Sequence, residues 1–399
     1  MPPRHYGPYT LWGLRHHDGG IGMNTLVPYC WNTIMTQQST NPLIGSPNRF
    51  KLGIFSANAD GGLTLTRVPE RWPAKWNEIV QVAQIADQAG IELFLPIARW
   101  KGFGGEMNSR EVCYETLTFA SALASATQDI ALCATVHTPM VHPVFAAKAL
   151  ATLDQASAGR ACLNVVCGWN PEEFALFGLP MIEDRYAQGD EWMQIVTHIL
   201  SGAPPIDFNG TYYKLHNVSG RPLSIQRPRP VTLNAAFSPP GREFAVNHAD
   251  FLFTTFSSIE DGMKQVEDMH ARSKGRRDVG VFTTCHVVCR PTRAEAEDYY
   301  HYYAVTMEDT ASCDHYMASK AKNSGSHDSE VYRLHRKRFA GGGGTYPLIG
   351  TPDIIADEML RMAECGFAGT TLSFVNYLNE LPYFVEHVLP RLQRYGLRV

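Results

Sequence analysis

No stretch of the sequence approaches the roughly 20 consecutive apolar residues that a membrane-spanning helix needs. Its first residues also lack the continuous apolar core of a secretory signal. A soluble, cytoplasmic protein with no membrane partner is expected. Positive charge is not in excess either: 35 Lys and Arg against 39 Asp and Glu leave a formal charge of -4. Such a surface offers no basic field to hold a phosphate backbone, so nucleic acid is not an expected partner. Paired-cysteine spacing is also missing. The nine cysteines are scattered without a CxxC, several inside apolar runs, and read as buried thiols of a reducing compartment. Cys285 and Cys289 flank His286, but they are alternating members of one strand and are not taken as a metal site. No metal is assigned. The chain has no GxSxG elbow, P-loop or HExxH helix, and no GxGxxG after its first strand. That sets aside the common hydrolases, phosphate-transfer enzymes and zinc proteases.

What is present is alternation. From Lys51 onward, short β-branched runs alternate with helix-length amphipathic segments, as in repeated β/α units around a parallel sheet. Strands are predicted at Lys51–Ala57, Ile91–Ile97, Ile130–Thr138, Ala161–Val166, Val231–Phe237, Phe251–Phe256, Val279–Cys289 and Gly369–Val375. Helices are predicted at Ala74–Ala89, about Tyr114–Ala126, His142–Ser157 and Arg185–Leu200, with Thr351 as N-cap and Pro352 at N1 of a later one. Eight strands fit a (β/α)8 TIM barrel with insertions, although doubly wound sheets show the same alternation. Residues 49–399 are expected to form this one barrel domain. Residues 1–48, rich in Pro, Gly, His and Asn without a period, are expected to be a poorly ordered N-terminal extension. Gly210–Lys214 reads as a short edge strand, and Asp309–Gly344, polar, basic and ending in GGGG, as a mobile loop or lid.

In such a barrel the polar residues that carry chemistry lie at the C-terminal strand ends. Asn164 interrupts an apolar strand, and an amide there needs a polar partner, either core backbone or a carbonyl-rich ligand. Thr135 can bond a ligand or fold back on its own strand. His137 is a candidate acid or base, or a packed core imidazole. Ser238-Pro-Pro-Gly241 opens a helix whose free N–H groups suit an anion, and Ser is also a common N-cap. Arg185-Tyr186 puts a cation at a helix start, which calls for a phosphate or for a carboxylate such as Glu183.

Together, ARWKGFGG (98–105), AAKALATLDQASAGRACLNVVCGW (146–169), DRY (184–186) and NAAFSPPG (234–241) resemble the bacterial luciferase-like flavin-dependent monooxygenases, in particular the branch of pyrimidine and dimethylsulfone monooxygenases. The resemblance runs from about Lys51 to Pro390. It implies a luciferase-like TIM barrel, reduced FMN as cofactor, O2 and a small organic molecule as substrates, a separate NAD(P)H:flavin reductase, and a homo-oligomer. By the same resemblance Ala98, Arg99, Asn164, Glu173, Arg185, Tyr186 and Ser238 fall on FMN-binding positions, with Ser238 and Arg185-Tyr186 near the phosphate end. Thr135 and Asn164 fall beside the reactive edge and oxygen, and Arg99 is the candidate for holding an anionic or carbonyl group of the substrate. The sequence departs from the pyrimidine branch at Arg99, where that branch has Lys, and at Ala236, where a Gly begins the phosphate turn. Two other readings remain: an F420-dependent oxidoreductase of the same fold, or a catalytically silent flavin-binding barrel.

Overall fold

The computed structural model describes residues 41–321 and 329–399, with side chains left out of the description for 320–335. Eleven strands occur among them: β1 Lys51–Phe55, β2 Leu93–Leu95, β3 Ala131–His137, β4 Ala161–Val166, β5 Ile206–Asn209, β6 Lys214–Val218, β7 Val231–Ala235, β8 Phe251–Phe253, β9 Gly280–Cys289, β10 Tyr346–Gly350 and β11 Gly369–Ser373. All pairings in the main sheet are parallel, running β11-β1-β2-β3-β4-β7-β8. β9 closes the ring by pairing with both β8 and β11. The result is a closed eight-stranded parallel barrel with helices between its strands, built from the eight segments predicted, most of them shorter at their ends.

The pleat sorts each strand between two environments. Leu93, Leu95, Ala131, Cys133, Cys162, Val231, Leu233, Phe253 and Phe282 fill the barrel interior. Their neighbours Phe94, Leu132, Ala134, Leu163, Val165, Leu252 and Val281 face the surrounding helices. Continuing the inward series upward from Cys133, Cys162 and Phe282 brings Thr135 and His137, then Asn164, then Thr284 and His286 onto the lumen face near the C-terminal mouth. The eight described cysteines are free thiols, and six of them are buried.

Residues 41–48 precede the expected barrel domain and are folded: Asn41 donates to the Ala161 carbonyl at 3.0 Å and Leu43 enters the barrel-interior cluster. Residues 1–40 of the expected extension lie outside the described residues. Three expectations change. The single edge strand at 210–214 is instead an antiparallel hairpin of β5 and β6, whose turn is held by the Glu191 carboxylate accepting the Thr211, Tyr212 and Tyr213 N–H groups. β10 was not predicted. It lies on the outer half of β9 as an edge strand, where Pro347 is tolerated, and the proline in a GGGGTYPLIG context disguised it as a turn.

Finally, the predicted mobile loop contains two helices, Thr310–Ala321 and Ser329–Gly342, with 322–328 outside the described residues. Phe103 and Leu65 of the β2 and β1 loops pack with Cys313, Met317 and Phe339 of this insertion. Ser312 donates to the Gly104 carbonyl at 2.6 Å, and Asp309 accepts from Met107 N–H at 3.2 Å. A Cβ on Gly105 would lie 2.5 Å from Ser312 Oγ and 2.6 Å from Asp309 Oδ1. The GFGG motif therefore seats the insertion over the barrel mouth. Across the mouth, Arg338 donates to the Ser257 carbonyl at 2.9 Å.

Candidate active site

Arg99 leaves the end of β2 with its side chain almost wholly buried, and meets Glu173 of the helix Pro171–Leu176 at 3.3 Å. The same carboxylate accepts the Trp100 N–H at 3.1 Å. Burial pushes the Glu173 carboxyl upward, and the facing Arg99 opposes that shift. The guanidinium also lies 4.4 Å from the ring centre of Phe103, 5.3 Å from Trp169 and 5.9 Å from Tyr316. Its Nε has no partner among the described residues. Asn58, in the NADGG segment, accepts from Ile97 N–H and donates to the Ile97 and Tyr114 carbonyls, which fixes the backbone that presents half-buried Ala98 and Arg99.

Thr135 and Asn164 are direct neighbours across β3 and β4. The Thr135 hydroxyl donates to the Pro96 carbonyl at 2.6 Å and accepts from Asn164 Nδ2 at 3.2 Å. Of the two amide groups of Asn164, the carbonyl is left over: Oδ1 is buried and has no partner among the described residues. A buried acceptor in that state carries a desolvation cost of about 1–3 kcal/mol until a donor arrives. Ala98, Arg99, Thr135 and His137 also line a cavity of about 50 Å³ between the ends of β2 and β3.

At the other end of the site, Ser238 is the N-cap of the helix Pro239–His248, accepting the Gly241 N–H at 3.3 Å and lying 3.1 Å from the Tyr186 hydroxyl. Arg185 donates to the Gly168 carbonyl at 3.1 Å and stacks over the Tyr186 ring at 5.3 Å. Among the described residues no carboxylate pairs with it, so the Glu183 alternative is not what holds it. A phosphate fits this corner: a cation, a free helix N-terminus and two hydroxyls converge there. The neighbouring cavity of about 690 Å³, which shares Tyr186, carries Asp190, Glu191, Asp207 and Glu243 and has the wrong sign for an anion.

The structure thus brings Arg99 to Glu173, Thr135 to Asn164, and Tyr186 to Ser238, with Arg185 beside Tyr186. Sequence reasoning missed buried Arg110, which donates to the Gly62 and Leu63 carbonyls, and the lumen placement of His286. Inward alternation along β9 was the available signal for the last.

A family profile described as luciferase-like monooxygenase matches residues 50–369. The chain belongs to the luciferase-like monooxygenase family. It is 30% identical over 356 residues to an FMNH2-dependent dimethylsulfone monooxygenase of Pseudomonas putida, covering 85% of this chain and 94% of that protein. It is 26% identical over 366 residues to the pyrimidine monooxygenase RutA of a Bradyrhizobium strain, covering 87% and 98%. The crystal structure of DmoA from Hyphomicrobium sulfonivorans superposes with a TM-score of 0.79 at 19% identity over 88% of this chain and 90% of that one, a likeness of fold. This luciferase-like protein is therefore a flavin-dependent oxidoreductase of the monooxygenase type, and its described residues include no helix long and apolar enough to cross a membrane.

The protonation state of its two lumen histidines follows from their surroundings. Burial, reinforced by Arg99, depresses the His137 pKa from 6.5 to about 4. Burial and Arg338 depress His286 to about 3. Both rings are neutral at pH 7. Because both folded values lie below the ordinary 6.5, the unfolded chain takes up protons first as pH falls. The stability they confer is full above pH 6.5 and declines toward pH 4 with a slope of about 1.4 kcal/mol per pH unit for each ring. Urea unfolding between pH 7 and 4 should show this slope, and His137→Gln should remove its share. An unchanged slope would mean that His137 is already solvated in the folded chain.

Proposed function

We propose that this protein is the oxygenase of a two-component system, which takes FMNH2 from a separate NAD(P)H:flavin reductase and inserts one atom of O2 into a small organic substrate. The observation that carries this reading is the unpartnered Asn164 Oδ1 beside a Thr135 hydroxyl whose proton is already committed to Pro96. Such an acceptor suits the N–H edge of a flavin ring. Ala98 and Arg99 are assigned to one side of that ring, with Glu173 holding Arg99 in place. Ser238, Tyr186 and Arg185 are assigned to the phosphate. When bound, the reduced flavin supplies the electrons that activate O2. The chain's own contribution is to orient the ring through Asn164, to fix Thr135 as an acceptor toward Asn164, to keep His137 neutral, and to exclude water under the helices Thr310–Ala321 and Ser329–Gly342. Cytoplasmic location and homo-oligomeric assembly complete the proposal.

The deciding experiment supplies purified protein with FMN, NADH, a generic flavin reductase and 18O2 over uracil, dimethylsulfone, alkanesulfonates and small aromatics, reading product mass. One labelled atom in a product establishes the reaction. FMN binding without a labelled product from any substrate overturns it. In the same preparation Asn164→Leu, which keeps the branching at Cγ and removes the acceptor, is expected to weaken FMN binding about tenfold, one hydrogen bond's worth. Fluorescence titration reads this, and unchanged affinity would remove Asn164 from the flavin contact.

A further inference from the structure

His286 stands on the lumen face of β9, the strand diametrically opposite β3 in the closed ring. Its ring is 1% exposed. Nδ1 lies 3.0 Å from the Thr345 hydroxyl, and that hydroxyl donates its one hydrogen to the Gly342 carbonyl at 2.7 Å. Thr345 therefore has only lone pairs to offer, so Nδ1 must carry the imidazole hydrogen. With the ring neutral, Nε2 is a bare lone pair. Among the described residues it has no partner, and neither does the Thr284 hydroxyl one inward position below it. The ring cannot swing toward the insertion to find one: a Cβ on Gly342 would lie 2.4 Å from its Cγ, so the backbone already presses against it. Two glycines of the GGGG run, Gly342 at His286 and Gly341 at the Tyr300 ring, are needed for this close approach.

Resting on the proposed flavin site along β2, β4 and β7, we infer that the opposite wall receives the substrate, and that His286 Nε2 accepts a hydrogen bond from an N–H or O–H of that substrate. Thr345 is the positioning residue that fixes the tautomer. The chemistry selects a class: a small neutral molecule bearing a donor, such as a cyclic amide or imide, satisfies Nε2, whereas a sulfone, which has only acceptor oxygens, meets a lone pair with lone pairs. Arg99 points the same way, because its charge is balanced by Glu173 before any substrate arrives and an anion would find no unpaired cation there. Discrimination by an unmet buried polar group is the strong kind.

The test uses the FMN-loaded full chain labelled with 15N-histidine, with succinimide and N-methylsuccinimide as probes and dimethylsulfone as the donor-free control. The expected result is an unprotonated Nε2 at pH 7 in the wild type, a shift of that resonance with succinimide alone, and a loss of tenfold or more in succinimide affinity in His286→Phe with FMN affinity retained. Thr345→Val should release the tautomer, and Thr345→Ser should restore it. A protonated Nε2 in the wild type overturns the inference, as does a probe response equal for succinimide and N-methylsuccinimide, or none to either. Failure of the 18O2 experiment alongside a selective His286 response would sink the proposed reaction and leave this site standing.

Discussion

Glu173→Gln is expected to destabilise the folded protein by about 3–5 kcal/mol and to abolish tight FMN binding. The carboxylate is 1% exposed, and it is the counter-charge for an Arg99 side chain that is 4% exposed. Removing it leaves a guanidinium buried without compensation, which costs far more than the pair itself contributes. The rings of Phe103 and Trp169 can return only about 0.5–2 kcal/mol of that through their π faces. The double variant Arg99→Met/Glu173→Leu separates the two effects: it should recover most of the stability while leaving FMN binding lost. Urea unfolding and fluorescence titration of the three proteins check this. A single variant as stable as wild type would mean that water reaches the pair, and tight FMN binding in the double variant would remove Arg99 from the site.

Asp154→Ala is expected to cost at least about 3 kcal/mol while leaving the FMN affinity of the folded fraction unchanged. Asp154 is fully buried and accepts from the Ser224 hydroxyl, from Ile225 N–H at 2.7 Å, from Gln226 N–H at 3.0 Å and from Gln226 Nε2 at 2.7 Å. Truncation strands several donors at once, each carrying about 1–3 kcal/mol if it finds no water. Its neighbour in sequence, Arg160, does comparable work, donating to the Ala124, Thr127, Ile130 and Ser157 carbonyls and so closing the end of the helix Thr116–Ala124. These contacts precede β4 and belong to the face of the barrel remote from the mouth, where stability rather than chemistry is set. Denaturant titration with a parallel FMN titration reads both halves of the expectation, and weakened FMN binding in folded Asp154→Ala would connect the two faces.

The segment AAKALATLDQASAGRACLNVVCGW (146–169) therefore divides in a way that its letters do not reveal. Asp154 and Arg160 hold loops and helix ends, and Asn164 follows Cys162 onto the lumen face through the strand's alternation. Within GFGG, Gly105 makes room for Asp309 and Ser312 of the insertion. The GGGG run looked like a flexible connector and is instead packed against His286 and Tyr300, a contact created by residues more than fifty positions away along β9 and by the helix before the insertion.

By itself the sequence determined the eight barrel strands and several of the helices between them, because period-two and period-3.6 patterning act over a few residues and are written there. It also determined the caps at Ser238 and Thr351, each of which accepts an N–H three residues on. Tertiary structure decided which polar side chains meet. The Arg99–Glu173 pair, the Thr135 hydroxyl locked to Pro96, the hydrogen on His286 Nδ1 and the seating of the insertion on the β2 loop all join segments far apart in the chain. Barrel closure fixes those distances through the register of every strand pair at once, and no local propensity encodes that sum.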